Sequence, residues 1–180
     1  TQSKPNDLTL SELVTWFFIQ SKDFPTALIQ EQAMDKRMEL QGKRVFELGQ
    51  ICIENNDYTT ARKAFTYVKN LGESSPLYYP AENAMLNTRY KEIVTSRNLS
   101  KQDILETINE YNTTLSRIGK TQKSLPLIVE LAHIQAFYND NSNKAIELLN
   151  EALNIERLTD IQKAEIKMKL GDIHVLHGDI

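Results

Sequence analysis

The chain reads as a series of short amphipathic helices separated by polar punctuation. Apolar side chains recur three and four residues apart, and no stretch shows the strict alternation of a half-buried strand. The first helix is predicted over 8–20 and opens on Thr9-Leu10-Ser11-Glu12, a capping-box pattern. The second covers 24–39, with Ala27, Ile29, Ala33 and Met34 apolar. The third, 42–55, carries Val45, Phe46, Leu48, Gly49, Cys52 and Ile53. The fourth, 58–70, carries Ala61, Ala64, Phe65 and Val68, and Gly72 suits its stop. A longer, more polar helix is predicted over 77–95. The sixth, 101–118, starts behind Ser100 with Asp103 three residues on, and stops before Gly119. The seventh, 125–138, has Pro126 in its first turn, where proline is tolerated. The eighth covers 143–155, and the ninth covers 160–177 behind another capping box, Thr159-Asp160-Ile161-Gln162. Short turns join them, so neighbours are expected to pair as antiparallel hairpins.

The pattern repeats. Asp23-Phe24-Pro25-Thr26-Ala27 and Asp57-Tyr58-Thr59-Thr60-Ala61 lie 34 residues apart, and Asn141-Ser142-Asn143-Lys144-Ala145 is a looser copy. Asp179-Ile180 begins a fourth. Leu48-Gly49 stands eight residues before Asp57, and Leu170-Gly171 stands eight before Asp179, so two different helices of the unit recur in phase. A glycine inside a helix is unfavourable by about 1 kcal/mol relative to alanine. The physical reason expected at Gly49 and Gly171 is close packing, with a neighbouring helix crossing where a side chain would clash. Ala27, Ala61 and Ala145 supply small positions on the facing helices, and Phe24, Tyr58 and Ile180 are expected to fill space near the hairpin turns.

Composition narrows the class. Six glycines and five prolines in 180 residues are too few for turn-dense β folds or glycine-rich phosphate loops. Twenty-one Lys and Arg against 24 Asp and Glu leave a net charge of −3, which gives no global attraction to nucleic acid or anionic membrane. The single cysteine, Cys52, excludes an intrachain disulfide and a cysteine-based metal site. The longest apolar run, 13–19, is far below the ~18 residues of a membrane helix. A soluble compartment is expected, cytoplasmic or periplasmic. Residues 1–7 are expected to be a flexible tail, and 8–180 a single helical array.

A 34-residue helix-turn-helix unit with Leu-Gly on its first helix and aromatic-x-x-Ala on its second resembles the tetratricopeptide repeat (TPR) family. Leu48, Gly49, Tyr58, Ala61 and Phe65 carry the likeness best. Weaker copies are Phe24, Ala27 and Met34; Ala145, Leu149 and Ala152; and Leu170, Gly171, Gly178 and Asp179. Between 76 and 119 the match fails, and that stretch reads as one elongated, degenerate hairpin. The phrases at 131–138 and 166–172 resemble those of large bacterial multi-TPR proteins, of which the chain would be a fragment. The resemblance implies an all-α, right-handed α-α solenoid. Its hairpins would fall at about 8–39, 42–70, 77–118 and 125–155, with a truncated fifth at 160–180.

Such solenoids hold partners along the first helices of their hairpins. The groove positions implied here are Glu12, Trp16 and Ile19, then Lys43, Phe46, Gln50 and Glu54. Toward the C-terminus they are Glu130, Ile134 and Phe137, then Glu165, Met168, Asp172 and Val175. This mixture suits a mainly apolar or basic protein segment. The places where some family members grip a C-terminal carboxylate hold Glu12, Trp16 and Glu47, which excludes that mode. The function expected is a non-catalytic protein-interaction scaffold with no cofactor. The alternative is an architectural spacer within a longer solenoid, its recognition site elsewhere. Both end helices are rich in apolar side chains, including Trp16-Phe17-Phe18, so flanking repeats and end-to-end self-association are expected.

Sharper chemistry finds little support. His174 and His177 lie three apart but lack a third ligand at motif spacing, so no metal is expected. His133, between Ala132 and Ile134, reads as a packed histidine with one hydrogen-bond partner. Cys52 lies on the apolar stripe of its helix and reads as buried and inert. Lys36-Arg37, Lys43-Arg44 and Arg62-Lys63 form a basic cluster, but Asp35, Glu39 and Glu47 interleave, and no nucleic-acid partner is expected.

Overall fold

The computed structural model describes residues 9–96 and 100–177, with the backbone alone at His177. The expected tail at 1–7 and the expected filler Ile180 lie outside them. Among the described residues the regular structure is entirely helical. The helices are α1 (Leu10–Gln20), α2 (Phe24–Met38), α3 (Lys43–Glu54), α4 (Tyr58–Lys69), α5 (Tyr78–Thr95), α6 (Lys101–Ile118), α7 (Leu125–Phe137), α8 (Ser142–Leu153) and α9 (Asp160–His177). A short 3₁₀ turn, Gln122–Ser124, which the periodicity does not reveal, leads into α7. Chain neighbours α1–α2, α2–α3, α3–α4, α6–α7, α7–α8 and α8–α9 pack directly, and α2 also reaches α4. The chain groups into two compact units that divide between Thr88 and Arg89, inside α5.

Helices α1, α6 and α9 begin at reciprocal side-chain caps. Glu12 accepts from the Thr9 backbone N–H at 2.9 Å, and its own N–H donates to the Thr9 hydroxyl oxygen at 3.4 Å. Ser100 with Asp103 and Thr159 with Gln162 repeat this reciprocal box. Each satisfies backbone donors that a helix start otherwise leaves unpaired.

The repeated sequence marker turns out to be a repeated piece of backbone. Asp23, Asp57 and Asn141 are the N-caps of α2, α4 and α8, accepting from Thr26, Thr60 and Lys144 N–H respectively. Each follows a residue in the left-handed region, Lys22 at φ 60°, Asn56 at φ 62° and Asp140 at φ 50°. Each is followed four residues on by a fully buried alanine whose N–H donates to the cap carbonyl, at 3.0, 3.0 and 3.2 Å. The chain reverses tightly at the left-handed residue, the carboxylate or amide closes the first turn, and the alanine lets the helix seat closely.

In the first unit the core gathers Phe24, Leu28, Val45, Leu48, Cys52, Phe65 and Val68, with Phe18, Ile19 and Leu77 packed against it. Gly49 meets the packing expectation. A Cβ there would lie 2.6 Å from Cε1 and 2.8 Å from Cζ of Phe65, so the α4 ring occupies the missing side chain's space. At Gly171 a Cβ would find nothing within 4 Å among the described residues. The ring over Gly49 comes from Phe65, 16 positions later on α4. In the second unit Tyr111, Ile128, Leu131, Ile134, Leu149, Ile166 and Ile173 are fully buried.

Helices α5 and α6 occupy the stretch expected as one elongated hairpin over 77–118. Helix α5 sets Ala81 into the first unit's core with Ala84 and Met85 packed against it, Lys69 reaches Glu82 at 3.1 Å in that unit, and Arg89 reaches Glu110 at 3.5 Å in the second. Helix α5 buries Glu82 and Thr88 beside Ala81, Leu86 and Ile93, which blurs its apolar stripe and explains the failed repeat match.

Candidate interaction site

Helix α7 is apolar nearly all round, more than one core-facing stripe needs. Leu127, Ile128, Leu131 and Ala132 are buried, while Pro126 and Val129 turn toward a cleft of about 590 Å³. The far wall is α9, with Ile166 and Met168, and Tyr90 of α5 contributes from its second half. Polar groups rim this apolar floor: Gln122, Lys123, Glu130, Gln162, Glu165 and Lys169. Gln122 Nε2 donates to Gln162 Oε1 at 3.2 Å, tying the 3₁₀ turn to α9. Volume, apolar floor and sparse polar rim are those of a ligand or side-chain receptor site.

Aromatic side chains stiffen one wall. The Tyr90 hydroxyl lies 3.4 Å from His133 Nδ1, and the His133 ring stacks on Phe137 with centroids 4.7 Å apart. Tyr111 donates its hydroxyl to Glu130 Oε2 at 2.7 Å. Burial, then the Glu130 charge, raises the pKa of both Tyr90 and Tyr111, so both phenols stay protonated at neutral pH. Burial lowers the His133 pKa, Lys169 lowers it further, and Asp172 opposes them. A neutral imidazole between aromatic rings is a packing element here, as its sequence context indicated.

The groove residues implied by the resemblance fall into two sets, one in each unit. On α3, Lys43, Gln50 and Glu54 are exposed and share a face by their spacing, and Trp16 on α1 is 36% exposed. Phe46 is half-buried and packs edge-to-face on Phe65, 5.3 Å between centroids, so it belongs in part to the core. In the second unit Met168 is 60% exposed and lines the cleft, with Glu130 and Glu165 at its rim. Phe137 is 40% exposed against His133, and Asp172 is exposed beside Lys169 at 3.9 Å. Ile134 is a correction: it is fully buried and cannot meet a partner, because α7 turns that side into the core. Sequence reasoning missed Tyr90, Val129 and Lys169. The excess apolarity of α7 could have pointed to Val129, whereas Tyr90 lies in the stretch without a repeat match.

The basic cluster is partly spent inside the fold. Arg44 forms a two-point bridge with the buried Glu31 of α2, Nε to Oε2 at 2.7 Å and Nη2 to Oε1 at 3.0 Å, and also meets Glu12 of α1 at 2.8 Å. The Thr9 backbone N–H, its hydroxyl and then Arg44 hold the Glu12 carboxyl down at about 2. A second cleft in this unit, about 410 Å³, is more polar and borders Asp35. Asp35 accepts from the Gly42 N–H at 2.8 Å and the Tyr67 hydroxyl at 3.1 Å, and pins the α2–α3 corner. Cys52 is buried, and burial pushes its thiol up to about 12, leaving no thiolate at neutral pH. No group of three or more His, Cys, Asp or Glu among the described residues could hold a metal ion. No helix among them is long and apolar enough to cross a membrane.

No protein-family model, curated protein or solved structure matches the chain. Its functional reading therefore stands on its own residues.

Proposed function

We propose that the chain is a non-catalytic protein-interaction module of the tetratricopeptide-repeat type, and that it holds a segment of a partner protein in the α7–α9 cleft. The cleft itself carries this reading: an apolar floor of Leu125, Pro126, Val129, Ile166 and Met168 under a rim of both charge signs. Helices α7 and α9 are the first helices of consecutive hairpins in the repeat reading, the positions from which such proteins recognise partners. The shared cap geometry of α2, α4 and α8 and the seating of Phe65 over Gly49 support the repeat assignment. A right-handed solenoid of about four hairpins and a truncated fifth, part of a larger protein, is the architecture this reading takes.

The competing reading, an architectural spacer, draws on Ile134 and Phe46, two implied groove residues that the core claims wholly or in part. Affinity capture separates the two. The immobilised chain and a Val129→Glu, Met168→Glu variant of equal helicity are exposed to lysate of the source cell. A protein held by the parent and lost by the variant supports recognition in the cleft. Equal capture, or none, favours the spacer.

A further inference from the structure

The charges around the α7–α9 cleft are ordered along its length. Gln122, just before α7, bonds Gln162 in the first turn of α9, so both helices start at the same end of the cleft. Lys123 stands at that end, on the α7 side. Glu130 lies about 11 Å further along the same wall, by the rise of a short 3₁₀ turn and of the helix after it. Val129 and Met168 belong to the apolar floor they border, and Glu165 stands on the opposite wall, α9.

These charges are not spent inside the fold. Lys123 and Glu165 make no ion pair among the described residues. Lys169, also at the rim, is drawn toward Asp172 of its own helix at 3.9 Å. Glu130 is half-buried, and the Tyr111 hydroxyl donating to its Oε2 at 2.7 Å fixes the carboxylate in place. A carboxylate beside an apolar floor attracts a cation more strongly than a fully solvated one, because less water screens it. A basic side chain suits such a place, its aliphatic stem on the floor and its charged head at the rim.

We infer that the cleft selects an extended segment of mixed charge, with an acid at Lys123, a base at Glu130 and an apolar side chain between them on Val129 and Met168. Four residues of extended chain cover about 13 Å, and alternate side chains point the same way. Acid, apolar residue and base therefore stand at positions i, i+2 and i+4, and the flexible Lys123 stem takes up the small difference in length. Lys123 disfavours a purely basic segment, and Glu130 with Glu165 a purely acidic one. This rests on reading the cleft as a receptor site, and adds which segment it takes.

The test titrates the 180-residue chain into labelled, end-capped peptides of about nine residues, long enough to span the cleft when extended. The first carries Asp, Phe and Arg at alternate places, with Ser and Thr elsewhere. Three others keep the central Phe and carry two Asp, two Arg, or Asn with Gln. The mixed peptide should bind best, roughly tenfold above each of the others, equivalent to about 1.4 kcal/mol. Added salt should narrow that margin. Lys123→Glu should move the preference to the peptide with two Arg. Glu130→Gln with Glu165→Gln should move it to the peptide with two Asp. Lys123 and Glu165 are exposed, and a glutamine in place of Glu130 still accepts from Tyr111, so circular dichroism should show the fold retained. Equal affinity for the four peptides, a preference that neither variant moves, or no binding up to about 1 mM overturns the inference. Sedimentation showing the cleft filled by a second copy of the chain overturns it as well. The reading of the cleft fails separately, if Val129→Glu, Met168→Glu captures the same lysate proteins as the parent.

Discussion

Gly49 and Gly171 show how one residue type at one repeat position has opposite energetic meaning. At Gly49 an added methyl collides with Phe65, and a packed core yields little. Gly49→Ala should lower unfolding stability by about 1–3 kcal/mol. Gly171→Ala meets nothing among the described residues and should raise it by up to about 1 kcal/mol through helix propensity alone. Urea unfolding of the two variants beside the parent checks both signs. Arg44 is the second telling residue. Arg44→Ala leaves Glu31, 4% exposed, as a buried carboxylate without its bidentate partner, and should be destabilising by about 3 kcal/mol. Glu12 adds a pH dependence. Its folded pKa of about 2 lies below its ordinary 4.5, so its contribution is present above pH 4.5 and is lost as pH falls toward 2. The stability gap between the parent and Glu12→Gln at pH 6 should close over that window. Sequence spacing put Arg44 in a surface cluster. Only the approach of α1, α2 and α3 reveals that its charge is already matched.

At the scale of elements, periodicity and caps were enough to place the nine helices of the described residues within two residues of their observed ends. Thr9, Ser100 and Thr159 start helices because their hydroxyls bond backbone donors nearby, a local event that sequence records directly. The three repeat markers were legible for the same reason. Asp57→Ala removes the α4 cap and should be destabilising by about 1 kcal/mol, with Asp23→Ala and Asn141→Ala alike, measured by thermal unfolding. What sequence did not reveal is set at a distance. Helix α5 was placed correctly, but its ion pairs, Glu82 with Lys69 and Arg89 with Glu110, join residues far apart in the chain and leave no local pattern. The face of α7 that enters the core was also misjudged at Ile134. A helix apolar on several sides gives no stripe by which to choose its buried one.

At the scale of the molecule, the chain offers an all-helical framework in two compact units, and in the second an apolar cleft between α7 and α9. Glu130, Glu165 and Met168 of that cleft followed from the family-like register of the first helices. Tyr90 did not, because it arrives from the one stretch where the repeat dissolves. Recognition at this cleft is the central claim, and hydrogen exchange with the captured partner tests it most directly. Amide exchange of the chain is followed by mass spectrometry with and without that partner, at saturating concentration. The account predicts slowed exchange in peptides covering 122–130 and 162–169, with the Val129→Glu, Met168→Glu variant showing no such protection. Protection confined to other segments, with these two unchanged, would contradict it.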